Sequence, residues 1–153
     1  MLYYFDSSAV VKRYAPEKGS AWVKSIAVPT SGNTLYVGQI GVVEIAAALS
    51  KKVRNNELTE EAYEAASSLF LLDVRNEEYV IGLLTDHTIQ SAVDLTKRHP
   101  LRAYDAVHLA IAIGLNVALL AVESPLLTFV SSDKTLCEAV GKEGLATDNP
   151  ELH

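Results

Sequence analysis

The sequence predicts an α/β fold built on a mostly parallel central sheet of four to five strands, and three observations carry that prediction. Short apolar runs recur at Leu2–Phe5, Leu35–Val37, Tyr79–Leu84 and Leu126–Val130. They are continuously apolar instead of alternating, as in strands buried on both faces. Segments with apolar residues at helical spacing separate them, so helices should cover both sides of the sheet. At 153 residues, 49% of them hydrophobic, the chain suits one domain spanning 1–153 with a sizeable core.

The elements follow in order. Leu2–Phe5 ends at Asp6, and Ser7-Ser8 offers capping hydroxyls before a helix over Ala9-Val10-Val11. A second helix is expected from about Ser20 to Ile26, before the breaker-rich loop Pro29-Thr30-Ser31-Gly32-Asn33. After strand Leu35–Val37, helical periodicity runs from Val42 to Arg54 and from Thr59 to Leu72, with Asn55-Asn56 as the turn between. Tyr79–Leu84 is strand-like, Thr85-Asp86 caps a helix to His99, and Pro100 ends it. A helix is expected from about Ala103 through the apolar stretch Val107–Val122, which reads as buried and falls short of the roughly 20 residues of a membrane span. Strand Leu126–Val130, the capping triplet Ser131-Ser132-Asp133, a helix to about Lys142, an edge strand at Gly144-Leu145-Ala146 and the closing turn Asp148-Asn149-Pro150 complete the chain.

A formal charge of -6 argues against a protein that grips nucleic acid through a general basic surface. Phosphate would have to be met by local clusters such as Lys12-Arg13, Lys51-Lys52-Arg54 or Lys97-Arg98 with Arg102, although such runs more often form solvated faces. The single Cys137 excludes an intrachain disulfide and a multi-cysteine zinc site, and its neighbours Leu136, Ala139 and Val140 mark it as a small core residue. Met1–Asp6 has no basic n-region and reaches an acid too early for a signal peptide, so a cytoplasmic location and no membrane partner are expected.

Four acids stand out. Asp6 and Asp133 lie just past strand-like runs, whereas Glu44 and Asp105 lie in the opening turns of helices. Glu44 has Ile40, Gly41, Ala47 and Ala48 as its helical neighbours and no basic partner within that turn. A buried, unpaired carboxylate costs several kcal/mol (about 3–5 on mutational data), so it normally protonates, finds a cation or binds a metal. Taken singly, Asp105 and Asp133 read as helix caps worth about 1 kcal/mol, as Asp86 does, and Arg102 offers Asp105 a surface ion pair. Taken together, four acids from separate segments at one sheet edge form the donor set that hard divalent cations require, and ligands gather outside the carboxyl ends of parallel strands. No Gly-x-Ser-x-Gly elbow, phosphate loop or histidine pair at ligand spacing is present, and Gly38-Gln39-Ile40-Gly41 is too short for a dinucleotide loop. His108, one turn after Asp105, either faces the site or packs locally.

Four strings then carry a family resemblance over nearly the whole chain: Tyr4-Phe5-Asp6-Ser7-Ser8-Ala9 with Val11-Lys12, Val43-Glu44 before an alanine-rich helix, Arg102-Ala103-Tyr104-Asp105-Ala106-Val107-His108-Leu109-Ala110, and Thr128–Leu136 around Ser131-Ser132-Asp133. In this ordered set the chain resembles the PIN-domain ribonucleases, specifically the VapC-like toxins of toxin–antitoxin pairs. The interval from Asp105 to Asp133 is longer than in many relatives. The resemblance implies a PIN-like three-layer sandwich, Mg2+- or Mn2+-dependent cleavage of RNA leaving a 5′-phosphate and a 3′-hydroxyl, a homodimer and a small cognate antitoxin. It matches Asp6, Glu44, Asp105 and Asp133 to the acidic metal-binding positions and Ser7 and Ser131 to accompanying hydroxyls.

The expected mechanism is metal-assisted phosphodiester hydrolysis, with Asp6, Glu44 and Asp105 holding the principal ion and Asp133 positioning a second ion or the water. Lys12, Arg13 and Arg102 are candidates for guiding the RNA backbone, and a helix face within Thr59–Leu72 for dimerisation. The alternative is a PIN-like binding module that has lost catalysis. A haloacid-dehalogenase-type phosphatase fits less well, since it expects a second Asp where Ser8 stands.

Overall fold

The computed structural model describes residues 1–153 and shows a five-stranded sheet, all parallel, in the order β3-β2-β1-β4-β5. Its strands are β1 (Leu2–Phe5), β2 (Thr34–Gly38), β3 (Val80–Gly82), β4 (Leu127–Val130) and β5 (Ala146–Asp148). The helices are α1 (Ser7–Tyr14), α2 (Ser20–Ala27), α3 (Gln39–Arg54), α4 (Glu60–Arg75), α5 (Asp86–Arg98), α6 (Ala103–Ala121) and α7 (Lys134–Lys142). The predicted α/β class and three-layer arrangement are what the chain adopts.

Alternation along the strands sorts the core into two halves. Tyr3, Phe5, Leu35 and Val37 pack with Val10, Val23, Ile45, Leu49 and Phe70, so α1 to α4 cover one face. Tyr4, Leu127 and Phe129 pack with Leu95, Leu109, Ile111, Leu136 and Val140, so α5 to α7 cover the other.

Register places the site. Phe5 pairs level with Val37 on one side and with Val130 on the other, so three adjacent strands end at one height. The chain therefore leaves the sheet at Asp6, Gly38 and Ser131 side by side. The central strand β1 is where the strand order reverses, which opens a crevice at this edge.

Several boundaries differ from expectation. The final strand is Ala146–Asp148, because Gly144 takes a left-handed turn (φ 84°) and Leu145 is drawn into the core. β3 stops at Gly82, opposite the last residue of β2, and Leu83 and Leu84 are exposed beyond it. Thr85, not Asp86, caps α5, accepting from the Thr88 amide at 3.2 Å. Only the middle of α6, chiefly Ala106 to Ala112, is buried as expected; Tyr104 before it and Val117, Leu120 and the adjoining Val122 after it are exposed. This 19-residue helix is long and apolar enough for a membrane span by length and composition, and its middle is core.

Gly82 is required by the approach of α6: a Cβ there would lie 2.5 Å from Ile111 Cγ2, on a β-branched, buried side chain that cannot swing away. Gly82→Ala is expected to cost about 1–3 kcal/mol through overpacking. A urea midpoint equal to wild type would show that α6 does not pin this strand.

Candidate active site

Asp6 is 5% exposed and caps α1. Its Oδ1 accepts hydrogen bonds from the Ala9 amide at 2.9 Å and Ser8 Oγ at 2.7 Å, and its Oδ2 accepts from Ser131 Oγ at 2.6 Å. Burial pushes the Asp6 pKa up, while the Ser131 hydroxyl, His108, the Ser8 hydroxyl and the Ala9 amide oppose the rise. Asp133 caps α7 in the same manner, Oδ1 accepting from the Leu136 amide at 3.0 Å, and its own amide donates to Ser131 Oγ at 3.0 Å. The Asp133 cap reading is therefore correct as local structure, and the capping acid also stands at the cleft.

Asp105 lies in the first turn of α6. Burial raises its pKa, followed by the charges of Asp133 and Asp6, with Arg102 acting against them. The suggested Arg102–Asp105 ion pair does not form; Arg102 stays exposed at the start of α6. The charges of Asp133 and Asp6 acting on Asp105 mark these two acids as its neighbours.

Glu44 corrects the sequence reading in one respect, since its side chain keeps 20% exposure; the company expected from elsewhere in the chain is His108. Its Oε2 lies 2.5 Å from His108 Nε2, and His108 Nδ1 lies 2.9 Å from the Tyr4 hydroxyl. The partner comes from α6, far along the chain. His108, only 2% exposed, thus packs locally and reaches a site acid at once. Tyr4 is fully buried; desolvation, then the charges of Asp6 and Glu44, raise its pKa well above the usual value.

Lys12 and Arg13 are not available to guide a phosphate backbone. Lys12, 3% exposed, is held by Glu17 at 3.1 Å and Glu151 at 3.2 Å. Arg13 is bound to Asp73, Glu78 and the Tyr79 hydroxyl. Ser7 makes no hydrogen bond to Asp6; that contact belongs to Ser8, whose Oγ also accepts from the Ser132 amide at 3.0 Å and so ties the end of β1 to the end of β4. Ser8 and Tyr4 were both present in the motif Tyr4-Phe5-Asp6-Ser7-Ser8-Ala9, but the hydroxyl two residues past Asp6 is recognisable only when the cap geometry is known. Cys137 is half-buried, not part of the core, and burial with Asp6, Asp133 and Asp148 nearby pushes its thiol up to about 11.

The donor chemistry suits a hard cation. Each carboxylate oxygen has about two lone pairs. Asp6 Oδ2, Asp133 Oδ2, Glu44 Oε1 and the Asp105 carboxylate all retain accepting capacity after their protein hydrogen bonds are counted. No three Asp, Glu, His or Cys side chains are close enough to enclose an ion unaided. That is compatible with Mg2+, which keeps several waters and takes one or two carboxylates plus substrate phosphate. A concavity of about 430 Å³ lies elsewhere, between β3, α5 and α6, and contains none of the four acids.

Comparison with known proteins agrees with this architecture. A family model described as "PIN domain" matches residues 3–139. Two curated relatives from Mycobacterium tuberculosis, "Ribonuclease VapC45" of strain CDC 1551 / Oshkosh and "Ribonuclease VapC49" of strain ATCC 25618 / H37Rv, are each 34% identical over 116 residues, 74% of this chain and 76% of theirs. Among solved structures, that of VapBC2 from Rickettsia felis bound to a DNA fragment from their promoter aligns with TM-score 0.61 at 15% identity, over 97% of this chain and 98% of the other. PAE2754 from Pyrobaculum aerophilum aligns with TM-score 0.66 at 17% identity, over 99% and 85%. At such identities these two structures speak for the fold.

Proposed function

This chain belongs to the PIN-domain family, and on that premise we propose that it is a divalent-metal-dependent endoribonuclease, the toxin of a toxin–antitoxin pair. The ribonuclease reading draws on the curated relatives, both named as VapC ribonucleases. The metal reading draws on one observation: the pKa of Asp105 is raised by burial and then by the negative charges of Asp133 and Asp6, a repulsion that a bound cation would relieve.

One or two carboxylates at a time from Asp6 (through Oδ2), Glu44 (through Oε1) and Asp105 would hold Mg2+ or Mn2+, with waters and substrate phosphate completing the shell and Asp133 beside them. Such an ion lowers the pKa of a bound water and offsets charge on a phosphorane-like transition state. The chain's own contribution is orientation. Ser8, Ser131 and the Ala9 amide fix the Asp6 carboxylate in one rotamer, and Asp133 is fixed by its cap. Arg102, exposed at the start of α6, would meet a substrate phosphate.

Protein stripped with EDTA is expected to lose cleavage of mixed cellular RNA and to recover it with Mg2+ or Mn2+. Cleavage persisting in EDTA would overturn the metal dependence; absence of both metal binding and cleavage would favour the inactive binding module. Co-purification with the product of a short neighbouring gene tests the antitoxin, which would offer a basic side chain to the acidic cleft. A homodimer is supported by exposed apolar side chains, Leu69 and Leu72 on α4 and Leu83, Val117 and Leu120 around α6. Sedimentation at micromolar concentration tests it.

A further inference from the structure

Resting on the metal-dependent reading, we infer that Tyr4 and His108 are positioning residues, a buried hydrogen-bonded relay that holds the Glu44 carboxylate with Oε1 left for the ion. Both nitrogens of the His108 ring are engaged, at 2.9 Å by Tyr4 and at 2.5 Å by Glu44 Oε2. The ring is 2% exposed, so water does not compete for either.

One direction follows from the partners: a carboxylate oxygen accepts, so Nε2–H donates to Glu44 Oε2, while Nδ1 and the Tyr4 hydroxyl share the second hydrogen bond. Glu44 Oε1 has no hydrogen bond within the protein. The relay begins on a rigid base, because the Tyr4 ring is fully buried and stacked on Phe129 with centroids 5.0 Å apart and planes 24° apart. A glutamate side chain left free would sample many rotamers and lose that freedom on binding an ion. Anchoring one oxygen removes much of that loss beforehand.

The relay also accounts for Gly38-Gln39-Ile40-Gly41, which serves no nucleotide. A Cβ on Gly38 would stand 2.6 Å from the Tyr4 hydroxyl, and one on Gly41 would stand 3.2 Å from His108 Cε1. Gly41 in the first turn of α3 costs about 1 kcal/mol of helix propensity relative to alanine. It leaves the space in which the imidazole reaches across from α6 to a carboxylate on α3.

The test is calorimetric titration of Mn2+ into the full chain without RNA, beside thermal melting, for wild type, Glu44→Gln, Tyr4→Phe and His108→Gln. Tyr4→Phe deletes one hydroxyl and keeps the stacked ring. It is expected to weaken Mn2+ binding about tenfold, the lower end of the effect of removing a hydrogen bond behind a metal ligand, with melting near wild type. His108→Gln is expected to weaken it at least as much. If Glu44→Gln weakens binding while Tyr4→Phe and His108→Gln do not, the relay is overturned and the metal reading stands. If Glu44→Gln leaves affinity unchanged, Glu44 is no ligand and the relay is overturned while the metal reading stands on Asp6 and Asp105; if wild type binds no Mn2+, the metal reading fails and the relay with it. Lower melting with unchanged Mn2+ affinity of the folded protein would mark Tyr4 as purely structural. Should His108→Gln fail to fold, Tyr4→Phe alone decides.

Discussion

Asp6→Asn is expected to reduce RNA cleavage about a thousandfold or more, since metal-assisted catalysis supplies several kcal/mol and each 1.36 kcal/mol is a factor of ten. The fold should survive. Asparagine caps helices as well as aspartate does, and the Ser131 and Ser8 hydroxyls can rotate to meet an amide. Stability is expected to match or exceed wild type at neutral pH in EDTA. The Asp6 pKa is raised in the folded state, chiefly by burial, so the folded protein binds this proton more tightly than the unfolded chain. The stability contributed by the protonated group is complete below the unfolded value of about 3.9 and is lost as pH rises through the higher folded value. Replacing the carboxylate removes that loss. The melting difference between variant and wild type should therefore shrink as pH falls toward about 4. Full cleavage by Asp6→Asn, or a gap that widens in acid, contradicts this account.

Arg13→Met is expected to act on stability and not on the substrate. Arg13 joins Asp73 at 3.2 Å, Glu78 at 3.0 Å and the Tyr79 hydroxyl at 3.1 Å, in a network closed by Tyr14, which donates to Asp73 at 2.7 Å. Removing the guanidinium leaves Asp73, 7% exposed, with the Tyr14 hydroxyl as its remaining partner. Breaking a fully buried pair costs about 3–5 kcal/mol. Partial exposure of all three charged side chains brings the expectation to about 2–3 kcal/mol after screening. For a chain of this size that lowers the melting temperature by about 5–10 °C. Cleavage per folded molecule should be retained at low temperature. Wild-type stability with weakened RNA cleavage would return Arg13 to the phosphate-guiding role first read from its sequence.

The sequence by itself determined the fold class and the placement of Asp6 and Asp133 past the ends of strands. Both are local properties: continuous apolar runs such as Leu126–Val130 specify buried strands, and an acid just past such a run leaves a parallel sheet at its carboxyl edge. The same logic located the helix starts at Ala103 and Lys134 within a residue or two. What periodicity encodes is which side chains turn inward; it carries no information on which of them meet. The ties of Lys12 to Glu151 and of Glu44 to His108, and the substitution of Ser8 for Ser7 beside Asp6, were decided only by tertiary structure. Each depends on the close approach of segments remote along the chain, or on a cap geometry that swaps two adjacent hydroxyls. Lys12 shows the physical reason most simply: its charge pattern alone is the same on a solvated face and in a buried pair, and only packing distinguishes the two.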